Sequence, residues 1–258
     1  MPRWVAIAML LLCSPLGVLA QRADLPPISP DRPDFCNGAD IVPPGMLQVE
    51  SGVSYTAGSG DHGVGVGELN LRVPLSRNVE VAVQLGSYMW DGADSEAESG
   101  FSDGAVGCKI RLFDGFPTAS GSSPRLALVM LTSLPTGSHA FRSPRMQPQM
   151  TLAADMDLSP DVSLSANVGV MNASEAGERY LAAYGGASLG FALGGAWSGF
   201  LELFAWQPGS AGGTTRYVVD SGLQLLLGND ISLDARVGRT TGDGPASTSG
   251  GLGISFRW

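Results

Sequence analysis

The sequence predicts an all-β fold: a transmembrane antiparallel up-and-down β-barrel of about twelve strands, of the bacterial outer-membrane type. Three observations predict it. Apolar and polar residues alternate with period two from Met46 almost to the last residue, Trp258. Short and long connections take turns between the alternating stretches. A secretory start comes first, and no later stretch reaches the roughly 18 consecutive apolar residues that a spanning helix needs.

Residues 1–20 read as a signal peptide. Arg3 gives a basic start, Trp4 to Leu12 form an apolar run too short to span a bilayer, and Val18, Leu19 and Ala20 precede a cut after Ala20. Losing Arg3 takes the formal charge from −9 to about −10, which argues against nucleic acid as a partner. Cys36 and Cys108 remain, too far apart in the chain to make a framework, and whether they pair stays open. No zinc spacing is present, and no metal or cofactor is expected.

Residues 21–45, rich in Pro, Asp and Arg and without periodicity, read as an extended periplasmic leader; it could equally enter the lumen as a plug, where Arg32, flanked by Asp31 and Asp34, could pair with lumen charges. The barrel follows over 46–258. Its strands carry these apolar phases: Leu47, Val49, Val53 and Tyr55; Leu69, Leu71, Val73 and Leu75; Val79, Val81, Val83 and Leu85; Val106, Cys108, Ile110 and Leu112. The run 126–134 is apolar on both faces, so its phase is ambiguous. Next come Met150 to Leu158, Val162 to Val170, Ala183 to Leu193, Trp197 to Leu203, Tyr217 to Leu227, Ile231 to Val237 and Leu252 to Trp258, each alternating with polar or small residues. Short turns lie at 75–78, 158–161, 193–196 and 227–230. Long polar loops lie at 57–61, 91–100, 135–147, 172–179, 207–213 and 240–247, and the long 113–124 connection breaks the rule.

A soluble β-sandwich also alternates. The aromatics favour the barrel: Tyr55 and Tyr217 sit at loop ends, and Trp197 and Trp258 at turn ends, all on the apolar phase. They form two bands suited to the two faces of a membrane. A closing strand that ends in an aromatic resembles the signal read by the barrel-assembly machinery. Membrane lipid and lipopolysaccharide are the other expected surroundings.

The inward phase holds charges of both signs, among them Glu50, Glu68, Arg72, Glu80, Lys109, Arg111, Asp155, Glu202, Asp220, Asp234, Arg236 and Arg257. They either pair across strands or line a wetted pore. Small inward residues such as Gly52, Ala82, Gly107, Ala153, Gly169 and Gly186 leave room. Tyr184, Phe200, Phe204 and Trp206, with Tyr88 and Trp90 at the end of the third strand, are read as inward rings that could stack a small hydrophobic or aromatic solute. Lys109, Arg111 and Glu202 complete the expected solute path.

Asp31-Arg32-Pro33-Asp34-Phe35, Val42-Pro43-Pro44-Gly45, Leu47-Gln48-Val49-Glu50, Lys109-Ile110-Arg111-Leu112 and Leu134-Pro135-Thr136-Gly137 resemble the outer-membrane family called "Putative MetA-pathway of phenol degradation". Cys36 and Asn37 depart from its pattern. The resemblance implies a transporter-like barrel and, from the family's name, passage of aromatic compounds.

Catalysis is not expected. An outer-membrane lipid hydrolase needs a histidine beside a serine nucleophile, and the two histidines, His62 and His139, lie in or next to external loops. His139, Arg142 and Arg145 read instead as a basic loop patch. The remaining alternative is a structural or loop-binding barrel without transport.

Overall fold

The computed structural model describes residues 25–258 apart from 59–61, 93–96, 120, 176–177, 208–212, 214 and 243–244. The expected signal peptide lies outside the described residues. Fourteen strand segments form one closed sheet: β1 (Gln48–Ala57), β2 (His62–Pro74), β3 (Val79–Gln84), β4 (Tyr88–Asp91), β5 (Glu98–Phe101), β6 (Gly104–Phe113), β7 (Arg125–Leu134), β8 (Gln147–Ser159), β9 (Val162–Glu175), β10 (Glu178–Gly194), β11 (Trp197–Trp206), β12 (Arg216–Leu226), β13 (Ile231–Gly242) and β14 (Ser247–Arg257). Neighbouring segments pair antiparallel, and β1 pairs with both β14 and β2, which closes the ring. β3 with β4, and β5 with β6, are single staves interrupted at 85–87 and 102–103, so the barrel has twelve staves.

The alternation sets which face each side chain takes. Leu181, Leu203, Val168, Val237 and Leu252 are exposed on the outside, while Glu50, Arg72, Glu80, Glu202 and Asp220 are fully buried inside. This inverts a soluble protein: oil outside, charge inside. Backbone groups in a bilayer must be paired, and closure leaves no free edge. The register resolves the ambiguous stave. Leu128 stands opposite Ile110, and Met130 opposite Cys108, so the even residues of β7 face lipid and Val129 and Leu131 face inward. Cys36 and Cys108 are both free.

The expected girdle residues lie on the outer face: Tyr55, Trp197, Tyr217 and Trp258 are all about half exposed. Trp258 and Leu47 exchange both backbone hydrogen bonds at 2.8 and 3.0 Å, which extends the β1–β14 seam that closes the barrel.

The leader named as periplasmic takes the other course open to it: residues 25–45 run inside the barrel, as described below. Tyr88 and Trp90 are corrected outright, because they are not lumenal. Residues directly opposite in an antiparallel pair share a face. Val66 stands opposite both Val53 and Tyr88, and Val64 opposite both Tyr55 and Trp90. Val53 in turn faces outward opposite Leu252. Tyr88 and Trp90 are therefore on the outside, with Tyr88 packed edge-on against Phe101. The break at 85–87 reverses the phase, since a shift of one residue turns every following side chain to the other face.

Candidate functional site

A charged side chain buried in a narrow lumen needs a partner. In this barrel the partner is the leader. It enters at the turn end, where Arg257 Nη2 donates to Pro26 O at 2.7 Å and Ile28 N to Asn229 O at 2.7 Å. It rises to Phe35, halfway up the wall, and descends to Met46.

Lacking strand or helix pairing, the leader must find acceptors for its N–H groups elsewhere. The wall supplies them. Phe35 N and Cys36 N donate to the two carboxylate oxygens of Glu202 at 2.9 and 2.8 Å. Asn37 N donates to Asn167 Oδ1 at 2.8 Å, Ala39 N to Asp155 Oδ2 at 2.6 Å and Val42 N to Glu80 Oε2 at 2.8 Å. Asp31 N reaches Glu50 at 3.1 Å. Wall cations take the leader's carbonyls: Arg72 donates to Ser29 O and Asp40 O, each at 2.9 Å. Such bonds to charged groups are worth about 1.5–3 kcal/mol each when buried.

Ion pairs add to these. Lys109 Nζ lies 2.7 Å from Asp31, while Arg72 bridges Glu80 at 2.8 Å and Glu50 at 3.2 Å. Arg111 and Arg125 flank Asp40 at 4.0 and 3.4 Å. Burial alone would raise the Asp31 carboxyl, but Arg72 and Lys109 outweigh it and hold the group below its ordinary value. Asp34 is the opposite case: burial, and then the charge of Glu202, push its carboxyl well above the ordinary range.

Arg32 occupies a slot. Its guanidinium pairs with Glu68 and lies 3.6 Å from Asp234. It sits over Gly52 and Gly253, which face each other across β1 and β14. A Cβ at Gly52 would fall 2.4 Å from Arg32 Nη2, and one at Gly253 2.5 Å from Arg32 Nε. The missing Cβ at both positions, rather than an unusual φ, leaves the room the guanidinium occupies, and a side chain at either would push it aside.

Above the leader, rings line the wall of β10 and β11. Tyr184 lies over Gly169 and Phe204 over Gly186, each filling the space a Cβ would take. The room expected beside these small residues is thus already filled. Phe204 has its centroid 6.1 Å from Tyr184 and 6.3 Å from Trp206, and Tyr184 Oη shares a hydrogen bond of 2.6 Å with Thr151 Oγ1. Below, between the leader and β7–β12, lies a cavity of about 420 Å³ lined by Asp34, Asp40, Arg125, Asp155, Ser188 and Phe200.

The structure thus gathers Tyr184, Phe204 and Trp206 in one ring cluster. Phe200 stands two positions below Glu202 at the lower cavity, and Lys109, Arg111 and Glu202 bind the leader or flank it. Arg32, read as a partner for lumen charges, meets Glu68 and Asp234, whereas Phe35 and Gly253 carried no site role in the sequence. A usable signal was present: Glu202 stands opposite Asp220, and like charges opposite one another are unfavourable unless a further group answers them. Ser138 Oγ accepts the Phe101 N–H at 2.9 Å, which ties the external loop to β5.

The family model described as "Putative MetA-pathway of phenol degradation" matches residues 30–258. The fold is similar to that of an outer membrane channel from Pseudomonas putida F1, with a TM-score of 0.68 and 11% identity over 89% of this chain and 100% of that one. It is also similar to the NanC porin, with a TM-score of 0.56 and 11% identity over 81% and 98% of the two chains. The KdgM porin, solved in complex with disordered oligogalacturonate, gives a TM-score of 0.52 and 10% identity over 81% and 98%. No curated protein matches the sequence. The barrel fold and its oily belt place the protein in the bacterial outer membrane.

Proposed function

This chain belongs to the family described as "Putative MetA-pathway of phenol degradation", and from that premise we propose that it is an outer-membrane channel for passive passage of small hydrophobic or aromatic solutes. The observation that carries the reading is the run of rings Trp206, Phe204 and Tyr184 on one side of the lumen above the leader. Ring faces along a wetted wall give an apolar solute a graded set of stacking positions at little desolvation cost. The cavity beside Phe200 and Asp155 offers the exit toward the periplasm.

Swelling of liposomes that hold the purified protein tests this. Small ring solutes should enter faster than sugars of equal size, and Phe200→Ala with Phe204→Ala should lower ring-solute entry. Unchanged entry in a correctly assembled double variant refutes the path.

A second reading, a structural or loop-binding barrel that carries nothing, draws on the density of bonds between leader and wall. It predicts no swelling with any solute, in the wild type or with the leader weakened. Two partners belong to either reading. The closing strand through Trp258 is the handle for the assembly machinery, and Arg142 and Arg145, both exposed on the external loop beside His139, face lipopolysaccharide phosphates.

A further inference from the structure

The leader's highest residue is a phenyl ring, and it sits where the wall's ring series ends. Phe35 stacks on Phe204 with centroids 5.4 Å apart and planes 27° from parallel. The Arg236 guanidinium carbon lies 4.9 Å from the Phe35 centroid. Trp206, Phe204 and Phe35 therefore form a descending ladder whose lowest rung belongs to the leader, not the wall. Phe35 keeps 37% of its surface exposed, whereas Cys36, next in the chain, is 3% exposed.

From this arrangement we infer that Phe35 is a tethered stand-in for the solute: it fills a planar-ring subsite between Phe204 and Arg236, and an incoming aromatic solute displaces it and unseats the leader tip. The inference rests on the channel reading and gives it a solute class. A flat ring suits the stack, because saturated rings are too thick and lack a π-face for the guanidinium. An uncharged ring suits the electrostatics, because Asp220 already neutralises Arg236 at 2.8 Å and Glu202 lies directly opposite Asp220. A carboxylated ring would meet uncompensated negative charge.

Displacement has a built-in reporter. With Phe35 seated, the Cys36 thiol is covered, and burial together with Glu202 raises its pKa, so it reacts slowly. Once the tip lifts, Cys36 is released with it.

The test uses the full chain carrying Cys108→Ser, with 1-naphthol as the flat neutral probe and cyclohexanol as the non-planar control. Naphthol should speed maleimide labelling of Cys36, and cyclohexanol should not. Phe35→Ala should bind naphthol about tenfold tighter, since an intramolecular competitor that fills the subsite most of the time reduces apparent affinity by the vacant fraction. Phe35→Leu, which keeps bulk but no ring face, should move the same way. Adding Phe204→Ala should abolish the gain. If both position-35 variants bind naphthol no tighter than the wild type, or if cyclohexanol exposes Cys36 equally, the stand-in assignment is wrong. Naphthol flux into liposomes, measured alongside, separates this from the channel reading: flux without the affinity gain sinks only the stand-in, and no flux even with Phe35→Ala sinks the channel.

Discussion

Placing valine at Gly52 should eject Arg32 from its slot while leaving the barrel closed. Gly52 lies in β1 opposite Gly253, and valine is a favourable strand residue there. Its Cβ, however, would lie 2.4 to 2.8 Å from three atoms of the guanidinium, well inside contact distance, so Arg32 must move. Arg32 then loses Glu68 and leaves Asp234, whose side chain is 1% exposed, without its cation. Breaking a fully buried pair costs about 3–5 kcal/mol. Arg32 and Glu68 keep 15% and 24% of their side-chain surface, so about 2–3 kcal/mol is the better figure once solvent screening is allowed for. That shifts the seated-to-released equilibrium of the leader by about 30- to 150-fold. The assay is the rate of Cys36 labelling, read beside the gel mobility of heated and unheated barrel as a check on assembly. A double-mutant cycle with Arg32→Ala decides the cause. Both changes destroy one contact, so together they should release the leader little more than either alone. Fully additive effects, or a leader that stays seated in an intact Gly52→Val barrel, would refute the slot.

Three further outcomes follow from the same geometry. Glu202→Gln leaves one acceptor for the two N–H groups of Phe35 and Cys36, and the orphaned group should weaken seating by about 1–3 kcal/mol, read as faster Cys36 labelling. Seating should also depend on pH with two opposed limbs about the ordinary carboxyl value of 3.8. The seated leader holds the Asp34 proton more tightly than the free one, so the seating Asp34 favours is full below that value and fades as pH rises toward its raised pKa. Asp31 does the reverse: its contribution is full above that value and fades as pH falls through its lowered pKa. Asp34→Asn should abolish the upper limb of labelling against pH and leave the lower one. Finally, Leu252→Arg, at an exposed position midway along β14, should destabilise the barrel by about 2–4 kcal/mol in lipid, measured by urea unfolding in liposomes; a neutral result would mean that this face does not meet hydrocarbon.

The wall was legible in the sequence because period-two alternation has a single physical cause along each stave, the lipid on one side. Leu201 and Leu203 face outward and Glu202 inward for the same reason that Leu252 and Ile254 face outward and Ser255 inward. The leader's place was legible only in part: Arg32 between Asp31 and Asp34 pointed to lumen charges, which it meets, but much of what holds the leader is its backbone. Ala39 and Val42 are bound through their N–H groups by Asp155 and Glu80, and no side-chain pattern in 25–45 records that. The record lies on the other partner. Glu50 stands opposite Asn70 and Ser255, and Glu202 opposite Ser188 and Asp220. Neither carboxylate has a cation directly across from it, which is the mark of a wall built to hold something else.

Tyr88 and Trp90 were misplaced for a reason that also explains Arg32. Strict alternation from Leu69 upward along β2 would put Val66 inside, yet it faces out beside Val53. Between them Gly67 and Glu68 have φ of 109° and 33°, and the β1–β2 register slips there by one residue. This bulge is the extra residue that lets both Val66 and Leu69 face lipid. It also leaves Glu68 pointing into the lumen, where it meets Arg32. The neighbouring stave matches the slip with its break at 85–87, so Tyr88 follows Val66 to the outside. A left-handed φ is uncommon for a residue with a Cβ, and the residue that adopts it here is the one that pairs with Arg32 of the leader. The bulge that defeats the alternation rule and the contact that anchors the leader are one feature, so removing the bulge residue should cost the leader its anchor at Arg32.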